Sequence, residues 1–140
     1  MEFKISHIDE IPSCANTILE NCRDSLIFLF NGNLGAGKTT LIKELCRLLG
    51  YEGQVTSPTF SLINIYPSKT VELCHMDLYR LKNTEEALDI GIEEYLTGDN
   101  YCFIEWPDLI LDLLEDTYYV INITIEADQS RTIHCQRVIK

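Results

Sequence analysis

Apolar and polar positions follow two different periods along this chain, and the alternation between them outlines the fold. Residues 25–30, SLIFLF, are a nearly unbroken apolar run, the pattern of a strand buried on both faces of a sheet. From Lys38 onward Leu41, Leu45, Leu48 and Leu49 recur at helical spacing, and Gly50 stops the helix. Upstream, FKIS (3–6) predicts a short first strand, and residues 12–22, opening at Pro12, predict a helix. Downstream, FSLINIY (60–66) and VELCHMDLY (71–79) predict strands joined across PSKT. Asn83 or Thr84 can cap a helix that opens with Glu85 and Glu86 and ends near Gly91. YCFIE (101–105) predicts another buried strand and DLILDLL (108–114) a helix. YYVINITIEA and RTIHCQRVI predict a closing hairpin around DQS. There is no internal repeat, low-complexity stretch or linker. Strands alternating with helices predict one α/β domain over residues 1–140.

Composition narrows this picture. Hydrophobic residues make up 46% of the chain, as in a folded globular protein. No apolar run reaches the roughly 18 residues of a membrane span, and MEFKISHIDEIP is neither basic nor followed by an apolar signal core, which predicts a protein that is not secreted. Cys14, Cys22, Cys46, Cys74, Cys102 and Cys135 form no C-x-x-C pair. They predict buried, reduced thiols and a cytoplasmic protein, with a zinc site as the alternative. The net charge of −11, from 22 acids against 11 bases, argues against a strong grip on nucleic acid by this chain alone, because phosphate contacts need clustered Lys and Arg.

The chemistry concentrates after the first buried strand. Gly32, Asn33, Leu34, Gly35, Ala36, Gly37, Lys38 and Thr39 match G-x-x-x-x-G-K-[ST], followed by Thr40. The match lies between a strand and an amphipathic helix, where a phosphate-binding loop must lie. Such a loop turns successive backbone N–H groups toward phosphate oxygens, and the following helix aims its positive end at the same anion. Lys38 supplies a full charge to the β- and γ-phosphates, and the Thr39 hydroxyl is a hard ligand for Mg²⁺. No N-K-x-D of the guanine-reading kind occurs, which favours ATP by elimination.

Carboxylates must accompany such a loop to hold Mg²⁺ and position water. Asp77 in LCHMDLYR and Glu105 in FIEWP both end predicted strands, at the sheet edge where ligands of open α/β sheets bind. His75 shares a face with Asp77, and a satisfied core histidine is its simplest reading. Trp106, the lone tryptophan, either packs in the core or lines the site. Thr56, Ser57 and Thr59 in TSPTF form a candidate switch loop or a capped turn. Arg80 either reaches the phosphates or pairs with Glu85 or Glu86.

GNLGAGKTT, TSPTF, HMDLYRL and IEWP, in this order and at these spacings, closely resemble the bacterial TsaE (YjeE) family over nearly the whole chain. The resemblance implies a phosphate-loop NTPase-type fold with a mainly parallel sheet and antiparallel additions. It implies a small cytosolic ATPase serving threonylcarbamoylation of the adenosine beside the anticodon of certain tRNAs, with TsaB and TsaD as partners. It assigns nucleotide binding to Lys38, Mg²⁺ binding to Thr39 and Glu105, and the Asp of an H-x-D-x-Y-R motif to Asp77. The family often carries an acid where this chain has Asn33. Catalysis would then rest on Lys38, Asp77 and Glu105, with Trp106 beside the nucleotide. A small-molecule kinase and a nucleotide-dependent binding switch are the alternatives. Arg23, Arg47, Arg80, Arg131 and Arg137 form no arginine-rich lid segment of the kind such kinases close over their phosphates.

Overall fold

The structure, a computed structural model, describes residues 1–140. Seven strands form one sheet: β1 (Glu2–Ile5), β2 (Ile27–Asn31), β3 (Ile63–Pro67), β4 (Glu72–Asp77), β5 (Tyr101–Glu105), β6 (Tyr118–Ile125) and β7 (Arg131–Val138). Their spatial order is β1-β7-β6-β2-β5-β4-β3. The four strands β6, β2, β5 and β4 run parallel, whereas β3 at one edge and β7 and β1 at the other add antiparallel. This is the α/β domain that the alternation of strands and helices predicts, with the parallel sheet and antiparallel additions that the family resemblance implies.

Helices cover both faces, and alternation along the strands decides which residue meets which helix. Phe28, Phe30, Leu73 and Phe103 pack with α1 (Ile11–Asn21) and α2 (Lys38–Leu48). Leu29, Cys74, Met76, Cys102 and Ile104 face the other way, onto α3 (Thr84–Asp89), α4 (Ile92–Leu96) and a 3₁₀ turn at Pro107–Leu113. Phe28, Phe30 and Phe103 are fully buried, each contributing about 1.5–3 kcal/mol of apolar transfer. They also pack ring against ring, with centroids 5.7 Å apart for Phe28 and Phe103.

Several boundaries differ from the sequence expectation, each for a local reason. The strand expected at residues 60–66 begins only at Ile63. The Leu62 N–H bonds back to the Pro58 carbonyl, and Leu62 takes a left-handed φ of 67°, so residues 59–62 turn. The strand expected to reach Tyr79 ends at Asp77, whose carboxylate accepts the Tyr79 N–H at 3.0 Å. Asn83 is the cap of α3, accepting from the Glu86 N–H at 2.9 Å. The chain then restarts as α4 after Gly91, whose φ of 79° is left-handed. The helix expected at 108–114 is a 3₁₀ turn entered from Trp106. The hairpin around DQS forms as expected, with Gln129 left-handed at φ 72°.

All six cysteines are free and buried. Burial pushes the Cys14 thiol up to about 11 and the Cys46 thiol up to about 12, so neither carries thiolate character. No cluster of three or more metal-ligating His, Cys, Asp or Glu side chains occurs, so the zinc alternative has no ligand set. No helix is long and apolar enough to cross a membrane.

Candidate functional site

Strand register creates the site. Phe30 of β2 stands opposite Glu105 of β5, and Glu105 stands opposite Asp77 of β4. The carboxyl ends of three parallel strands therefore lie in one row. β2 continues past that row into the loop at residues 32–37, which delivers Lys38 to the first turn of α2. Open α/β sheets take their ligands at this edge.

The loop's glycines have separate reasons. A Cβ at Gly32 would sit 2.9 Å from the Ile123 carbonyl oxygen, so the loop can lie on β6 only with glycine there. Gly37, the residue before α2, has φ 108°, a left-handed conformation that glycine adopts without steric cost. Inside the loop, the Ala36 N–H bonds to the Asn33 carbonyl at 3.0 Å. Behind it, Arg131 Nε donates to the Ala36 carbonyl at 3.1 Å, pinning the loop to β7.

Lys38 is buried, its Nζ 2.6 Å from the Gly32 carbonyl and 3.6 Å from the centre of the Trp106 ring. Burial pulls its ammonium below the usual lysine value, and the Glu105 and Asp77 carboxylates partly restore it. Trp106 reaches this position by a left-handed backbone, φ 56° and ψ 62°, between Glu105 and Pro107. A bulky residue in that region stores about 1–3 kcal/mol of strain, of the kind found at functional sites. Its ring also meets Tyr79, with centroids 4.9 Å apart.

The carboxylates are placed differently. Glu105 accepts from the Thr39 hydroxyl at 3.1 Å and meets His75 Nε2 at 2.7 Å. Asp77 meets the Thr59 hydroxyl at 3.5 Å through its other oxygen, and Ser57 and Thr59 hydroxyls lie 2.7 Å apart. One cleft of about 260 Å³ is lined by Leu34, Gly35, Gly37, Lys38, Thr39, Thr40, Ser57, Thr59, Asp77, Glu105 and Trp106. The structure thus gathers most of the sequence-predicted residues. Gly32 and Asn33 face a separate groove beside β6, and Ala36 is buried against the core. Thr56 is tied by its backbone to Tyr66. Arg80 stacks 4.2 Å from the Phe60 ring and forms no ion pair with Glu85 or Glu86.

Two features had no sequence signal strong enough to find them. One is the Tyr66–His75–Glu105 contact, which needs the strand register. The other is a cavity of about 280 Å³ against the opposite flank of the loop, walled by residues that include Ile8, Ile11, Ile123, Arg131 and Ile133.

This fold and loop define a phosphate-loop NTPase-type protein. The family described as "Threonylcarbamoyl adenosine biosynthesis protein TsaE" matches residues 5–133, and the chain belongs to it. It is similar to the tRNA threonylcarbamoyladenosine biosynthesis protein TsaE of Bacillus subtilis, 38% identical over 95% of this chain and 83% of that protein. The TsaE of Rickettsia typhi is 36% identical over 87% of this chain and 85% of that one. The crystal structure of YdiB from Bacillus subtilis superposes with a TM-score of 0.80 at 27% identity, covering all of this chain and 86% of that one.

The cation–π contact of Lys38 has a direct spectroscopic consequence. With no ligand present, Lys38→Ala removes the ammonium from the Trp106 ring, and the lone tryptophan's emission is expected to shift. Identical wild-type and variant spectra, with circular dichroism unchanged, would contradict the contact.

Proposed function

We propose that this chain binds and hydrolyses ATP with Mg²⁺, as an accessory protein of tRNA threonylcarbamoyladenosine formation acting with TsaB and TsaD. The observation that carries the reading is the convergence of the Lys38 ammonium, the Thr39 hydroxyl and the Glu105 carboxylate in one cleft beside a glycine loop. The partners and the tRNA step rest on family membership and on the names its relatives carry.

The Thr39 and Glu105 oxygens fit Mg²⁺, which favours hard oxygen donors and takes few of them from the protein. Bound there, the ion would neutralise charge on the β- and γ-phosphates. Lys38 leaves the Gly32 carbonyl for the phosphates, and the loop N–H groups hold them. Glu105, already hydrogen-bonded to Thr39, serves the metal side. Asp77, beside Thr59, orients water on the loop side. The cavity behind the loop shares Gly35, Gly37 and Thr40 with the cleft, and its isoleucine walls and Arg131 would seat the base.

None of the five arginines lines the cleft. Fast phosphate-loop hydrolases commonly place an arginine on the γ-phosphate, a group worth about 10³ to 10⁵ in rate. Hydrolysis by the chain alone is therefore slow, and partners accelerate it. The charge of −11 repels tRNA and tolerates a basic partner face.

Lys38→Ala loses charge-assisted bonds of about 1.5–3 kcal/mol each, so ATP affinity should fall by at least about tenfold while the fold persists. Calorimetric titration checks this, and unchanged affinity in a folded variant would remove Lys38 from the site.

Steady-state phosphate release tests the function itself. The chain alone should be slow, tRNA should leave the rate unchanged, and TsaB plus TsaD should raise it. A high rate alone that the partner pair does not alter would refute the accessory role in favour of a self-sufficient enzyme.

A further inference from the structure

His75 is completely buried, in the interior of β4. A histidine in such a place needs partners for both ring nitrogens, and it has them. Nε2 lies 2.7 Å from Glu105 Oε2, and Nδ1 lies 3.3 Å from the Tyr66 hydroxyl. The pairs follow from register. Asn64 stands opposite His75, which stands opposite Phe103. Tyr66 and Glu105 are each two residues further along, so the three side chains lie on one face and run diagonally across three strands.

The line continues at both ends. Tyr66 accepts the Thr56 N–H at 3.3 Å and lies 3.0 Å from the Thr56 carbonyl. The Asn64 amide donates to that same carbonyl at 3.3 Å. The Tyr66 ring is held in place by Tyr51, with centroids 4.7 Å apart. At the far end Glu105 Oε2 also takes the Thr39 hydroxyl. With the ring proton on Nε2, His75 donates to Glu105, and the single Tyr66 proton is shared between the Thr56 carbonyl at 3.0 Å and His75 Nδ1 at 3.3 Å, with the Asn64 amide also serving that carbonyl. Every group is then satisfied, and no buried side-chain nitrogen or oxygen lacks a partner.

We propose that His75 is a positioning residue. It fixes the Glu105 carboxylate in the orientation that receives Mg²⁺ and, through Tyr66, couples that carboxylate to the backbone of the Thr56–Thr59 loop. The inference rests on the nucleotide reading above and deepens it. The loop and the metal-side carboxylate then share one hydrogen-bonded line, so a change at either end is felt at the other. Groups that orient a metal-binding carboxylate in this way typically govern about 10- to 100-fold in metal affinity or activity.

The test separates metal-dependent from metal-independent binding. ATP affinity is measured in EDTA and in saturating Mg²⁺, and their ratio is the gain due to metal. Amide hydrogen exchange at Thr56, Ser57 and Thr59 is followed without any ligand. His75→Leu, close in bulk but without polar atoms, should cut the metal gain by about tenfold, leave the EDTA affinity unchanged and speed exchange at Thr56. His75→Gln, which keeps a donor toward Glu105, should restore most of the metal gain. Tyr66→Phe keeps the ring stacked on Tyr51 and loses only the hydroxyl. It should speed exchange at Thr56 and lower the metal gain by a smaller factor.

A folded His75→Leu protein with unchanged metal gain overturns the proposal. So does an equal loss in EDTA and in Mg²⁺, which is the mark of a merely structural histidine. If His75→Leu does not fold, Tyr66→Phe decides: unchanged exchange and unchanged gain overturn the coupling, and the expected changes support it. Wild-type protein that binds ATP in neither condition defeats the nucleotide reading and this proposal together. Wild-type protein with a metal gain that the variants leave intact defeats this proposal alone.

Discussion

The costliest feature of this protein is the burial of Lys38, His75, Asp77 and Glu105, which are its only buried charged or imidazole side chains. Each would be expensive alone in a low-dielectric interior. They are tolerable because they stand together, one cation and one imidazole against two carboxyl groups, with a carbonyl, hydroxyls and an aromatic face as further partners. Satisfied polar networks of this kind hold a single geometry, whereas half-satisfied ones do not. The rest of the structure serves that constraint. Three parallel strands end in one row, two helical layers dry the sheet behind it, and the loop at residues 32–37 closes its side.

That economy also explains the strain beside the site. Trp106 adopts a left-handed backbone although nothing in a tryptophan favours it. The reward is an indole face over the Lys38 ammonium in a cleft that already holds two carboxylates. Arg131 works from the other side, outside the cleft, by holding the Ala36 carbonyl. The loop is thus fixed from two directions with no ligand present, which would lower the cost of ordering it around the proposed phosphates.

Much of this was legible in the sequence because it depends on neighbours along the chain. The glycine loop, its flanking strand and helix, and the two strand-ending acids all follow from local pattern. The residues at 59–62 misled because Phe60 and Leu62 alternate as a strand would. The turn is instead set by the bond from Leu62 back to Pro58 and leaves Phe60 exposed. α4 was hidden because Gly91 reads equally as an end or as a new beginning. The least legible part was His75. Its sequence neighbours place it on the face of Asp77, yet its partners are Tyr66 and Glu105, on the two strands beside it. Only register reveals that.

The separation of the two carboxylates is the most consequential point for mechanism. Glu105 touches α2 and the strand interior, whereas Asp77 touches the loop at Ser57 and Thr59. Two acids in one row can therefore hold different duties, because one is tied to the rigid helix and the other to a connecting segment.

A crystal structure of the protein with Mg²⁺ and a non-hydrolysable ATP analogue tests this account most directly. The account predicts the metal between the Thr39 hydroxyl and Glu105, and the Lys38 ammonium moved from the Gly32 carbonyl to phosphate oxygens. A nucleotide bound elsewhere, or a metal held without Glu105 while Lys38 stays on Gly32, would contradict it.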